Sequence, residues 1–435
     1  MISPVLDATR LAQRALGGRL ELSGPLAELR RQGAALLEAK GLPGPRDEAW
    51  RFTSLRGVTD VPFQRAKASE SALRASSTPK HELAGAVSWV FGEVPAASVI
   101  QALPPGIEFW SSRQSGPIPA WAKASLTPEK SASPFAALNA CELEDVWCFR
   151  LSGSPAPLQI IYPGPIEATP SMLTPRVRVV VEAGAHACLI ETTTPEGAAG
   201  PSLTNSVSEI FVGPNAELEH VRISLGTPQS RQISSVSAEL TRDSRYRSRL
   251  LSLGGALTRT DLTVAFTEPG AHADLDGLYF ASEGEQVDHH TVVEHRVGRC
   301  ESLQKYKGLA DGNGQAIFDG IVRVHSGAAG TSAHQQNRNL LLAENAVIHT
   351  KPHLEIENDD VKCTHGATVG RLRLDEQFYL QSRGLDLETA RTLLVYAFAS
   401  EIIDGITLPA ARNLVRREFL KKLGNPELSA ELAEA

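Results

Sequence analysis

Cys363 and His365 stand two residues apart in the run Asp359-Asp360-Val361-Lys362-Cys363-Thr364-His365-Gly366-Ala367-Thr368-Val369-Gly370. A thiol and an imidazole both ligate soft or borderline metals. Side chains at i and i+2 of a strand leave the same face, so this pair could address one point in space. Two ligands are half a site, since protein-bound metal ions and clusters usually take about four. On spacing alone, a buried small thiol beside a hydrogen-bonded histidine is the simpler reading. Seven of the twelve histidines crowd between His289 and His353: His289, His290, His295, His325, His334, His349 and His353. Taken singly each reads as a polar strand position. Taken together they allow a metal-rich neighbourhood. Asp359 and Asp360 are adjacent carboxylates that would face opposite ways on a strand, and they read as a solvated turn.

Much other chemistry is missing. The chain has no Gly-Lys dipeptide and hence no Walker A loop, so it is not itself a P-loop ATPase. It lacks a Gly-x-Gly-x-x-Gly opening a helix, a Gly-x-Ser-x-Gly elbow and a His-Glu-x-x-His motif. A formal charge of -7 and only 6% aromatic residues give no footprint for nucleic acid or an anionic membrane. The five cysteines (Cys141, Cys148, Cys188, Cys300, Cys363) are odd in number and contain no Cys-x-x-Cys pair. That pattern fits free thiols in a reducing cytoplasm. The first residues meet charge at once, with Asp7, Arg10 and Arg14, and no apolar run approaches the ~20 residues of a membrane span. A cytoplasmic protein, without a signal peptide, is the expectation.

The elements that must position the pair read as follows. Leu22, Leu26, Leu29, Ala34, Leu36 and Leu37 predict helix up to the break Gly41-Leu42-Pro43-Gly44-Pro45. An N-terminal helical region over 1–65 gives way to a mixed linker and lead-in over 66–165. From 166 to 372 short Val/Ile/Leu strands follow one recurring phrase, a small turn and then an alternating strand. Examples are Ala183-Gly184-Ala185-His186, Gly213-Pro214-Asn215-Ala216, Pro269-Gly270-Ala271-His272 and Glu344-Asn345-Ala346-Val347. Many short strands set off by such turns, with no helical periods between them, predict a β-solenoid, with a large β-sandwich as the alternative. The C-terminal domain, 373–435, returns to helix. Asp386 is a good N-cap ahead of Leu394, Ala397, Phe398 and Ile402, and a second helix over about 408–423 stops at Gly424. Two such helices would cap the open end of the solenoid or present a surface to a partner, with capping the default.

At this point the residues carry a family signature. Leu340-Leu341-Leu342, Pro352-His353-Leu354-Glu355-Ile356, the 359–370 run and Phe378-Tyr379-Leu380-Gln381-Ser382-Arg383-Gly384 together resemble the C-terminal core of the SufB/SufD family. The Cys-Thr-His-Gly-Ala-Thr form is similar to the SufD branch. Asp288-His289-His290-Thr291, Glu294-His295, Lys305-Tyr306-Lys307-Gly308, Phe318-Asp319-Gly320, Asp47–Thr53 and Phe135–Asn139 also fit. Ala343 stands where the family often has Ser, and residues 66–130 match little.

The resemblance implies a mainly β fold, a right-handed parallel β-helix core flanked by N-terminal and C-terminal helical regions. It implies a non-enzymatic scaffold subunit of a complex with SufB and the ATPase SufC that assembles iron–sulfur clusters. SufC would supply the ATPase missing here, docking on the C-terminal region at Arg383, Gly384 and Phe398. SufB would supply the missing ligands of a transient cluster, with His365 as the candidate ligand from this chain and Cys363 as ligand or packed thiol. A flavin as electron source, the cluster type and a homodimer formed without SufB are left open by the residues. A β-helix enzyme that processes polysaccharides and a stand-alone zinc protein are the rival readings. The first usually acts outside the cell along an exposed groove, and the second needs three or four ligands from one chain.

Overall fold

The turn phrases of the sequence prove to be corners. Gly184, Asn215, Asp243, Gly270, Arg299 and Gly330 all take left-handed φ values, between 55° and 84°. Each stands two residues ahead of a strand position paired in register with the next, from His186 through Glu217, Arg245, His272 and Glu301 to Ser332. Glycine, asparagine and aspartate tolerate this conformation best, which is why they recur there. The residue that follows is small and buried at every corner: Ala185, Ala216, Ser244, Ala271, Cys300 and Thr331. Cys300 is thus a packing thiol of the corner ladder.

Described in the computed structural model are residues 26–65, 82–92, 100–114, 117–123, 133–164, 169–194 and 200–425. The start of the helix predicted from Leu22, and residues 66–81 of the mixed linker, lie outside them. The chain is mainly β and winds as a parallel β-solenoid of about seven turns with flanking helices, as the sequence leads one to expect. It alternates between two sheets, one strand in each per turn, so strands two apart in sequence are neighbours in space. Registers advance by 26 to 32 residues per turn, as in Arg231 opposite Leu257 and Gln315 opposite Val347. Strands Trp147–Leu151 and Leu158–Tyr162 already belong to the two sheets, in a stretch whose prolines interrupt any strand pattern. Five strands matter most for the site: β1 (Glu301–Ala310), β2 (Gln315–Val324), β3 (Thr331–Leu341), β4 (Val347–Ile356) and β5 (Val361–Gly370). β4 ends one sheet and β5 ends the other.

Helices clothe the outer faces. α1 (Ala27–Lys40) ends at the predicted break, with Gly41 at φ 66°. It packs on α2 (Pro134–Glu142), where Gly33 leaves no room for a Cβ against Ala140. Leu37, Trp50, Phe135 and Leu138 bury themselves against Leu203, Ile233 and Leu257 of the first sheet. At the other terminus come α3 (Leu374–Ser382), α4 (Leu387–Ile403) and α5 (Pro409–Lys422). The Asp386 side chain caps α4 by accepting from the Thr389 N–H at 2.9 Å. Capping of the open end by these helices is not what is found. α4 and α5 lie along the outer face of the second sheet, where Val395, Ile402, Val415 and Phe419 cover Val221, Ile223, Leu251, Leu278 and Phe280. The outward stripe on those strands is apolar, and burying it at about 25 cal/mol per Å² decides where the helices go. The end formed by β4 and β5 stays open. No described helix is long and apolar enough to cross a membrane.

Candidate functional site at the open end of the solenoid

Parity along β5 is fixed by its neighbour. Val361, Cys363, His365, Ala367 and Val369 pair with Thr331, Ala333, Gln335, Asn337 and Asn339 of β3. All five β3 residues are buried in the solenoid interior. The β5 set therefore points inward as well, and Cys363 and His365 share a face as their spacing requires. No further turn covers them, so His365 is exposed and Cys363 half-buried. On β4, Ile348, Thr350, Pro352, Leu354 and Ile356 follow the inward parity of Ala316, Phe318, Gly320, Val322 and Val324. The two edge strands frame an open mouth whose rim includes exposed Val347, Ile356 and Val369.

The two members of the pair differ chemically. Cys363 packs against the interior apolar cluster, and burial raises its thiol pKa while a hydrogen bond from the Ala333 backbone partly offsets this. A protonated thiol is the weaker ligand. His365 has no partner among the described residues. A groove of about 360 Å³ on the outer face of the sheet, lined chiefly by Leu303, Lys305, His334, Gln336, Thr364 and Gly366, also borders His365.

The other histidines are dispersed by the strand period. His289 and His295 point inward and are fully buried. His290 faces out, 2.9 Å from Asp288. His325 bonds Glu294 at 3.1 Å, and His334 bonds the Thr364 hydroxyl at 2.7 Å. His349 stacks on Phe52 with centroids 4.0 Å apart. Among the described residues no three His, Cys, Asp or Glu side chains converge to hold a metal ion. Among the described residues Cys363 and His365 thus gain no third ligand. Asp359 and Asp360 lie in the exposed bend ahead of β5.

A family model described as "SUF system FeS cluster assembly, SufBD core domain" matches residues 165–398. The chain belongs to the SufB/SufD family of iron–sulfur cluster assembly proteins. An iron–sulfur cluster assembly SufBD family protein of Synechocystis is 32% identical over 404 residues, 89% of each chain. SufD of Escherichia coli is 35% identical over 197 residues, 45% of this chain and 47% of its own. SufD of Bacillus subtilis is 26% identical over 262 residues, 59% and 58% respectively. SufB/SufD membership makes this chain a component of iron–sulfur cluster assembly.

The three residues expected at a docking surface sit differently from one another in this SufB/SufD protein. Arg383 and Gly384 are exposed at the end of α3, with the Arg383 guanidinium over the Tyr379 ring. Phe398 is half-buried on α4, its carbonyl accepting from the Lys307 ammonium at 2.7 Å. More exposed apolar surface lies on α3 itself, which buries no residue and presents Leu374, Phe378 and Tyr379. The 3.6-residue period marked the buried faces of α4 and α5 but gave no signal for a helix buried against nothing.

Proposed function

We propose that this chain is the non-ATPase scaffold subunit of a complex with SufB and SufC, and that it donates His365 to a cluster assembled at the boundary with SufB. The cluster is cargo, held transiently and passed on. The observation that carries this reading is His365, uncovered and without a partner among the described residues, on the inward face of the last described strand. Two open parallel edges side by side, β4 and β5, suit extension by another chain's strands, because unpaired edge groups template pairing. Cys363 adds a packed thiol that becomes a ligand only on deprotonation. ATP hydrolysis belongs to SufC, docked on the C-terminal helices, and its cycle would shift the two solenoids between states that differ in access to the shared site.

Anaerobic co-assembly with the cognate SufB and SufC tests the ligand role. His365→Ala should lower cluster content at least tenfold, read from visible absorbance and from iron and sulfide analysis. Unchanged content would remove His365 from the site. The docking surface is tested separately by Phe378→Asp on α3. SufC should fail to co-purify while SufB is retained, and retention of both would place SufC elsewhere.

A further inference from the structure

We propose that Asn339 is a positioning residue for His365, locking the far half of β5 in register through a buried polar row. This rests on the ligand reading of His365 given above.

Among the described strands β5 has one neighbour, β3. Val361 and Cys363 pack on the interior apolar cluster, and no later residue of β5 does. Its remaining inward residues, Ala367 and Val369, are exposed, and its outward ones are Thr364, Gly366, Thr368 and Gly370. Register is weakly specified where a strand is glycine-rich and buries neither face, and a one-residue slip turns every side chain over. The evenly spaced bonds of a parallel ladder repeat along the strand and do not by themselves forbid that slip.

One interior row supplies the missing constraint. Tyr279 on strand His272–Ala281, Gly308 of β1, Asn339 of β3 and Val369 of β5 stand opposite one another in successive turns. Gly308 lets the Tyr279 ring cross β1, since a Cβ there would collide with that ring and with Asn339 Oδ1. The Tyr279 hydroxyl donates to Asn339 Oδ1 at 2.7 Å and accepts from Asn337 Nδ2 at 2.9 Å. Asn337 Nδ2 also donates to the Tyr306 carbonyl at 3.2 Å. Asn339 Nδ2 donates to Asn337 Oδ1 at 2.5 Å and to the Thr368 carbonyl of β5 at 3.1 Å. A carbonyl only accepts, so the amide nitrogen must be the end that faces Thr368.

All three side chains are almost wholly buried, and no donor on them is left over. A fully satisfied interior network fixes one arrangement. Packing does not ask for it, because the next inward row, Ala281, Ala310 and Leu341, carries no polar side chain. A slip of β5 would strand the Asn339 N–H in the interior. His365 thus lies between two anchors, the core contacts of Cys363 on one side and the Thr368 bond on the other.

The test uses the free full chain and then the assembled complex. Tyr279→Phe with Asn339→Leu replaces the hydroxyl and the amide together by apolar groups of similar volume, so thermal unfolding should hold. Hydrogen exchange, read peptide by peptide, should quicken about tenfold over 364–370 and stay unchanged over Gln286–His295. Should the double variant fail to fold, Tyr279→Phe alone keeps the Thr368 bond, and exchange over 364–370 should quicken about threefold. In the anaerobic complex with SufB and SufC, cluster content of the double variant should fall about tenfold. Unchanged exchange over 364–370 overturns the lock. Faster exchange with full cluster content overturns the positioning role. Full cluster content in His365→Ala overturns the ligand reading instead, while the exchange measured on the free chain still decides the lock.

Discussion

Arg222→Met should destabilise the chain by about 3–5 kcal/mol near neutral pH, because it strips a buried carboxylate of its counter-charge. Arg222 and Glu191 sit inside the solenoid on neighbouring strands, both almost wholly buried and in direct contact. The guanidinium also donates to the Ser206 hydroxyl at 2.5 Å and the Ser234 hydroxyl at 2.8 Å. Glu191 accepts from the Tyr162 hydroxyl at 3.0 Å and the Ser208 hydroxyl at 2.6 Å. Burial alone would raise the Glu191 pKa. The Arg222 charge and hydrogen bonds from His220 and Ser208 outweigh it and hold the carboxyl at about 2. A folded value below the unfolded one, about 4.3, means stability present above about pH 4 and lost as pH falls toward 2. Without Arg222 the carboxylate must either stay charged and unpaired or take up a proton. The cost in Arg222→Met should therefore shrink in acid. Replacing both partners, Arg222→Met with Glu191→Leu, should recover most of the loss, since an apolar pair of similar volume is often neutral. Urea denaturation of the four proteins of this cycle measures the coupling. A single-variant cost under about 1 kcal/mol would show that the hydroxyls alone satisfy Glu191.

A second large effect comes from His289 and His295, and it acts at milder pH. Burial lowers both to about 4. Each has one nitrogen bonded, His289 to the Ser252 hydroxyl at 2.8 Å and His295 to the Ser302 hydroxyl at 2.9 Å. The Nδ1 of each has no partner among the described residues. The folded value lies below the unfolded 6.5, so the unfolded chain binds more protons between about pH 4 and 6.5. Stability therefore rises with pH across that window and is complete above it. Each histidine should remove about 2 kcal/mol between about pH 7.5 and 5, with a joint slope approaching ~2.7 kcal/mol per pH unit. His272, whose hydrogen bond to Asp274 raises its pKa, acts with the opposite sign, but it is partly exposed and screened by solvent. Denaturation midpoints across this range should show the slope, and His289→Phe should halve it. A flat profile would mean that neither histidine is held neutral inside the solenoid.

Several features were legible because they are local. The turn phrase at Gly184, Asn215 and Gly270 needs a left-handed residue followed by a small one, and both requirements are written in side-chain type. Asp386 as a cap and Gly41 as a stop depend on neighbours within one helical turn. The shared face of Cys363 and His365 follows from strand period alone. The strands at 147–151 and 158–162 were hidden because short apolar runs broken by proline carry too few residues to show a period. The role of α4 and α5 was misjudged for a different reason. Which apolar stripe they cover depends on Val221, Leu251 and Leu278, residues about thirty apart that only winding brings together.

The sequence by itself determined the solenoid, the residue types and shared face of the Cys363–His365 pair, the absence of a Walker A motif and the family to which it belongs. Each rests on residue types and short spacings. Only the tertiary structure decided that the seven clustered histidines point to different environments, that the helices leave the β4–β5 end open, and that Asn339 bonds the strand that carries His365. A turn of 26 to 32 residues sets those neighbours, and no local pattern fixes a register so long.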